Sequence, residues 1–131
     1  MKTQYRAVVV GGGVVGTSLL YHLCKMGWED SVLLEKLELT SGSTWHAAGL
    51  LPLFNMSYSV GKIHKYSVDL YQKLEEETGQ PVSFHKNGNL RLARSQERMD
   101  EYRRYSGTAS TIGVPYHLIG PEEIKKLWPF A

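Results

Sequence analysis

The sequence predicts an α/β fold that opens with a βαβ unit and continues into α+β material. Three observations predict it. A short β-branched apolar run, Tyr5–Val10, ends in three consecutive glycines, Gly11–Gly13. The residues after the glycines carry apolar side chains at helical spacing. A second apolar run, Ser31–Leu34, follows. Short apolar runs bounded by turn residues read as buried parallel strands, and the helical period between them supplies a right-handed crossover.

The elements follow in order. Val15, Leu19, Leu20, Leu23 and Met26 place a helix over Val14–Met26, stopped by Gly27. Cys24 falls within it and reads as a small hydrophobe on its core face. A long helix is expected over Ser59–Thr78, with Ile63, Tyr66, Leu70, Tyr71 and Leu74 on one face. The aromatics Tyr58, Tyr66 and Tyr71 read as helix packing, and Glu75–Glu77 as a solvated face. Gly79 and Pro81 end this helix. Asn87-Gly88, between Phe84–Lys86 and Asn89–Arg94, reads as a type I′ hairpin, since both turn positions of that type need positive φ. Ser95 is placed to cap a polar helix through about Tyr105. Tyr116–Ile119 reads as a strand, and Pro121-Glu122-Glu123 as the opening of a last helix.

The organisation changes near Gly79–Val82, giving regions 1–80 and 81–131. A doubly wound sheet needs more than two parallel strands, so the chain reads as the front piece of a longer protein or as a truncated product. The net charge is only +2, with acidic and basic residues interleaved. This gives no nucleic-acid footprint and no polybasic membrane patch. The apolar runs are too short to span a bilayer. A single cysteine fits a reducing compartment and precludes an internal disulfide. With no signal or transit segment legible, the expected location is cytoplasmic, or the mitochondrial matrix for a eukaryotic chain lacking its leader.

Gly11-Gly12-Gly13-Val14-Val15-Gly16 contains G-x-G-x-x-G between the first strand and the first helix. That context marks a Rossmann-like dinucleotide-binding unit. Gly11 allows the turn off the strand, Gly13 clears the approach of a pyrophosphate, and Gly16 lets helix and strand pack closely. The backbone N–H groups of Val14 and Val15 point at the anion. Glu35, after the second strand, is placed to accept hydrogen bonds from an adenosine ribose, which favours an unphosphorylated 2′ position over NADP. Lys36 either neutralises charge near the adenosine or is a surface lysine. The glycine motif does not by itself separate FAD from NAD.

The stretch Ser41-Gly42-Ser43-Thr44-Trp45-His46-Ala47-Ala48-Gly49-Leu50-Leu51 sets one indole and one imidazole among small residues. Together with GGGVVG, LLEK, LTSGSTWHAAGL, KIHKYSVDLYQKLEEETGQ, Phe84-His85 and NLRLA, it resembles the dimethylglycine and sarcosine dehydrogenase family of FAD-dependent oxidoreductases. The resemblance runs from Val8 to Pro129. It implies an amino-terminal FAD-binding domain followed by the start of a substrate domain. It implies that Ser43 and Thr44 contact the cofactor, that Gly42, Ala47, Ala48, Gly49 and Leu50 leave room for it, and that Trp45 and His46 lie at the flavin end. In that family the histidine of the Trp-His pair carries FAD covalently through the 8α-methyl, so His46 is implied as the attachment site. Spacing and composition do not show this.

The resemblance also implies oxidation of N-methylated glycines, dimethylglycine first and sarcosine second, by hydride transfer to flavin. The product iminium gives formaldehyde, or passes its one-carbon unit to tetrahydrofolate on a further domain. The partners implied are a small-molecule amine and an electron acceptor that the residues do not identify. No catalytic acid, base or carboxylate clamp is assigned. His22 reads as structural, His64 and His85 are not at metal-ligand spacing, and His117 reads as a strand or surface residue. Three alternatives stay open at this point: another methylamino-acid oxidase of the group, a partial FAD-binding module with no turnover, and an NAD-dependent dehydrogenase.

Overall fold

The structure is a computed structural model that describes residues 2–130. The chain forms two compact units, Met1–Leu50 and Leu51–Ala131.

In the first unit, strand β1 (Ala7–Val10) leads through the glycine turn into helix α1 (Val14–Lys25) and then strand β2 (Ser31–Leu34). The strands are parallel, with Ala7 opposite Ser31 and Val10 opposite Leu34. The expected βαβ unit is therefore present, and mixed α/β is the observed class. β1 begins two residues later than the apolar run suggests. The ladder continues past it, because the Gly11 N–H donates to the Leu34 carbonyl at 2.8 Å. Gly27, at φ +83°, stops α1, and the Trp28 N–H closes back on the Leu23 carbonyl at 2.9 Å. The Arg6 guanidinium lies 3.9 Å from the centre of the Trp28 ring, which fastens the strand entry to the helix exit.

α1 corrects one expectation. Its half-buried line is Gly16, Leu20 and Leu23, whereas Val15, Leu19 and Met26 are exposed. Cys24 is exposed rather than core-facing. A helix turns 100° per residue, so the line through Leu20 and Leu23 carries Cys24 off the sheet side.

In the second unit, helix α2 (Tyr58–Thr78) starts at Ser57, whose hydroxyl accepts the Val60 N–H at 3.3 Å, and ends at Gly79, φ +70°. Helix α3 (Gln96–Ile112) is capped by Ser95, as its sequence indicates, and stopped by Gly113 at φ +80°. It runs seven residues past Tyr105 because its second half packs through small side chains: Ser106 and Ala109 are buried. Where α2 meets α3, a methyl placed on Gly61 would lie 2.4 Å from the Ile112 Cδ1. The inward line of α2 is thus Gly61 and Val68, while Ile63 and Tyr66 are exposed. The apolar periodicity singled out bulk, and the close helix approach selects smallness instead. Helix α4 (Pro121–Leu127) opens on proline with Glu122 and Glu123 in its first turn, as expected.

Two expected β elements are absent among the described residues. Phe84–Lys86 and Asn89–Arg94 form no ladder, and of the Asn87-Gly88 pair only Gly88 has positive φ, at +84°. Tyr116–Ile119 forms no strand either. A two-stranded hairpin is marginal without a further strand or a helix to cover it. Side chains from the would-be hairpin are engaged elsewhere. The Phe84 ring stacks on Tyr71 at 6.5 Å between centroids. Arg91 lies 5.2 Å over the Phe54 ring and donates to the Phe54 carbonyl at 3.0 Å.

Candidate functional site

The turn between β1 and α1 uses its glycines in different ways. Gly11 sits at φ +106°, a conformation that favours glycine. A Cβ on Gly12 would meet the Leu39 Cδ2 at 2.5 Å and the Glu35 Cβ at 3.1 Å. A Cβ on Gly16 would meet the Gly11 carbonyl oxygen at 1.9 Å, so the close helix–strand contact read from the sequence is present. Gly13 is extended, and a Cβ there would lie 3.1 Å from the Thr44 hydroxyl.

Glu35 follows directly on β2 and turns back onto the glycines. Its Oε2 accepts the Gly12 N–H at 2.6 Å and its Oε1 accepts the Leu37 N–H at 2.9 Å. The Gly12 bond first, and the Leu37 bond next, hold this carboxyl below the ordinary carboxylate range. Each oxygen keeps a second lone pair, so the carboxylate remains able to accept from hydroxyl donors. Lys36 is exposed beside it and adds a small attraction.

The Ser43–His46 segment forms a single 3-10 turn. Its Thr44 hydroxyl accepts the Val14 N–H at 2.9 Å, capping α1 from thirty residues away, since Gly13 has no side chain to do so. Thr40, at φ +66°, donates its N–H to the Gly12 carbonyl at 2.9 Å and accepts from the Trp45 N–H at 3.1 Å. The glycine turn, Glu35 and the Ser43–His46 turn are therefore one hydrogen-bonded body. The His46 Nδ1 lies 3.1 Å from the Gly42 carbonyl. A carbonyl only accepts, so Nδ1 is the donor here, and in the neutral ring that tautomer leaves the lone pair on Nε2. The Trp45 ring stands edge-on to His46 at 6.2 Å and is 74% exposed. Ser43 and His46 are exposed, Ala47 is extended, and Ala47–Leu50 are exposed and irregular, with Gly49 at φ +70°.

These residues fit the phosphates of a dinucleotide. The N–H groups of Gly13, Val14, Val15 and Gly16 precede the first helical carbonyl partner, and only that of Val14 is taken by Thr44. The first turn of α1 holds no acidic residue to repel an anion. A methyl on Gly13 would crowd the Thr44 hydroxyl beside the Val14 N–H, and methyls on Gly12 or Gly16 would displace Leu39 or the Gly11 backbone that shape the turn.

The structure brings Gly11, Gly13, Val14, Gly16, Glu35 and Thr44 together, with Val15 in the same helix turn. Ala47 joins the cluster by donating its N–H to the Thr44 carbonyl at 3.1 Å, whereas Lys36 and Ala48–Leu50 lie outside it. Sequence reasoning missed Gly12, Leu37 and Thr40. Gly12 occupies a free position of the glycine motif, and nothing in the residue type of Thr40 marks it for a left-handed backbone. Elsewhere, the His22 Nδ1 lies 2.7 Å from the Ser18 carbonyl on its own helix, and the His64 Nδ1 lies 3.1 Å from the Pro52 carbonyl. His85 and His117 are exposed. No helix among the described residues is long and apolar enough to cross a membrane.

Comparison with known proteins agrees with this geometry. Rat mitochondrial dimethylglycine dehydrogenase is 49% identical over 128 residues, covering 98% of this chain and 15% of the relative. Human mitochondrial sarcosine dehydrogenase is 42% identical over 130 residues, covering 98% of this chain and 14% of the relative. A mitochondrial pyruvate dehydrogenase phosphatase regulatory subunit from mouse is 39% identical over 129 residues, again 98% of this chain and 15% of the relative. The chain thus spans about a seventh of the length of these relatives. Residues 6–131 match the family described as FAD dependent oxidoreductase, and the chain belongs to that family.

Proposed function

We propose that this chain is the dinucleotide-binding end of a FAD-dependent amine dehydrogenase acting on N-methylated glycines, dimethylglycine first and sarcosine second. The observation that supports it most is the Val14–Thr44 hydrogen bond, which ties the phosphate turn to the turn bearing His46. FAD would supply hydride acceptance from an N-methyl C–H bond and an 8α carbon for attachment. The chain's own residues then have separate tasks. The α1 N-terminus and the glycines receive the pyrophosphate, and Glu35 accepts from the ribose. Ser43, Thr44 and the small residues from Gly42 to Leu50 line the path toward the flavin. His46 offers its Nε2 lone pair to the 8α carbon, while its Nδ1–H, held by the Gly42 carbonyl, stabilises the charge that develops on the ring.

On this reading residues 1–80 belong to the FAD-binding domain and 81–131 begin the substrate domain. The iminium product yields formaldehyde, or a one-carbon unit for tetrahydrofolate bound outside this chain. The names of the rat and human relatives favour the mitochondrial matrix over the cytoplasm for a eukaryotic source.

The test is to denature the holoprotein in acid and separate it on a gel. In-gel flavin fluorescence is expected in the wild type and absent in His46→Ala. Dimethylglycine, and more weakly sarcosine, should bleach the flavin absorbance of the intact holoprotein. The regulatory relative from mouse supports a second reading, a flavin-binding module without turnover. That reading predicts bound flavin that neither amine bleaches.

A further inference from the structure

We propose that Thr44 is a positioning residue for covalent flavin attachment: it holds the His46 turn against the phosphate turn, and so governs the rate at which Nε2 meets the 8α carbon. This rests on His46 being the attachment residue.

Three observations carry it. The Thr44 hydroxyl accepts the Val14 N–H at the first residue of α1, where the pyrophosphate is expected. Thr44 and His46 belong to the same four-residue 3-10 turn, so a displacement of one moves the other. His46 itself is exposed, and its ring bonds to the carbonyl of Gly42, the residue that opens its own turn. Its placement relative to the phosphates is thus inherited from the turn. The bonds from the turn to the glycine segment run through Thr44 directly and through Trp45 by way of Thr40.

A hydroxyl whose lone pair takes the Val14 N–H still has its own proton to donate. Thr44 can therefore keep its grip on α1 with an anion present. In the attachment step the N–C bond forms at the 8α carbon. One C–H hydrogen of that methyl and the imidazole N–H hydrogen are given up with two electrons to the flavin. Dioxygen then takes both hydrogens and both electrons as hydrogen peroxide. Nothing in this balance consumes Thr44, whose part is geometry alone. Misplacement by about 1 Å costs on the order of a hundredfold in rate, and one neutral hydrogen bond contributes about tenfold.

The experiment reconstitutes flavin-free protein with FAD in air. It follows total bound flavin and acid-stable flavin separately over time. Thr44→Val replaces the hydroxyl with a methyl of similar size, and Thr44→Ser keeps the hydroxyl. Thr44→Val should bind FAD but accumulate acid-stable flavin about tenfold more slowly or worse, with Thr44→Ser within about threefold of wild type. The FAD dissociation constant of Thr44→Val is measured in a His46→Ala background, and attachment rates are compared at saturating FAD, so that any weaker binding is separated from the slower attachment. Thr44→Ala runs beside the valine variant, so that a packing failure of valine alone is recognised.

Attachment at the wild-type rate in both hydroxyl-free variants would overturn the proposal. So would a serine variant as slow as the valine one, or loss of non-covalent FAD binding in both hydroxyl-free variants, which would make Thr44 a phosphate ligand instead. A wild-type protein with no acid-stable flavin overturns the attachment reading itself, and is distinguishable from each of these.

Discussion

Gly16 of α1 packs so closely on the end of β1 that a methyl on it would lie 1.9 Å from the carbonyl oxygen of Gly11. The obstacle is backbone and cannot rotate away. Gly16→Ala must therefore push α1 off the sheet, and is expected to destabilise the protein by about 1–3 kcal/mol and to cut flavin content. Gly13→Ala meets only a hydroxyl at 3.1 Å and should cost less than Gly16→Ala. Thermal unfolding of both variants checks the order, and equal losses would place the constraint elsewhere.

Gly61 and Ile112 offer a compensation test. A methyl on Gly61 would sit 2.4 Å from the Ile112 Cδ1, but that atom is the end of a side chain. Alanine also gains about 1 kcal/mol over glycine inside a helix. Gly61→Ala alone should be near neutral or mildly destabilising, because repulsion offsets propensity. Combined with Ile112→Val it should be more stable than Ile112→Val alone. Denaturant unfolding of the four proteins gives the coupling, and additive effects would remove the α2–α3 contact as the cause.

Glu35 links acidity to the glycine turn. Its folded pKa lies below the ordinary carboxylate value, so its contribution is present above that value and is lost as pH falls through the lowered one. The Gly12 amide resonance should therefore move with a midpoint below that of a free glutamate. In Glu35→Gln this movement should vanish. Non-covalent FAD binding, measured in a His46→Ala background, should weaken in Glu35→Gln by about tenfold, the effect of one charge-assisted hydrogen bond. Unchanged affinity would take the ribose contact away from Glu35.

Tyr105 behaves oppositely. It donates to the Glu101 carboxylate, and that bond first, then partial burial, raises its phenol pKa. Its contribution is complete below the ordinary tyrosine value and is lost as pH rises through the raised one. Tyr105→Phe should therefore be less stable than wild type near neutrality, and the gap should close in strong alkali. Unfolding curves across the alkaline range check the sign.

The parts legible in the sequence are those set by periodicity and by end chemistry. Strand, glycine turn, helix and strand follow from apolar spacing between Tyr5 and Leu34. Ser95, Gly27, Gly79 and Pro121 mark helix ends because each supplies a specific cap or backbone angle. The illegible parts depend on partners distant in the chain. Asn87-Gly88 has the right local chemistry for a hairpin, yet no ladder forms among the described residues. The second half of α3 shows no apolar stripe because it packs through Ser106 and Ala109. At the site, Glu35 and the glycines could be placed from spacing. The bond from Val14 to Thr44 joins residues thirty apart and has no local signature. The attachment role proposed for His46 rests on family resemblance alone, since an exposed histidine in a short turn carries no mark of its chemistry.

The stretch from Glu35 to Thr44 is pinned to one short piece of backbone: Glu35 and Thr40 to Gly12, and Thr44 to Val14. It is in effect a closed ring with fixed anchor points; between Glu35 and Thr40 its bonds are local ones, from the Leu37 N–H to the Glu35 carboxylate and from Ser41 to the Glu38 carbonyl. Extra residues inserted there can balloon outward while every anchor holds, because lengthening an already closed loop adds little entropy cost. A residue removed between Thr40 and Thr44 has no such outlet and must break an anchor. Length change in this protein should therefore be tolerated ahead of Thr40 and rejected after it.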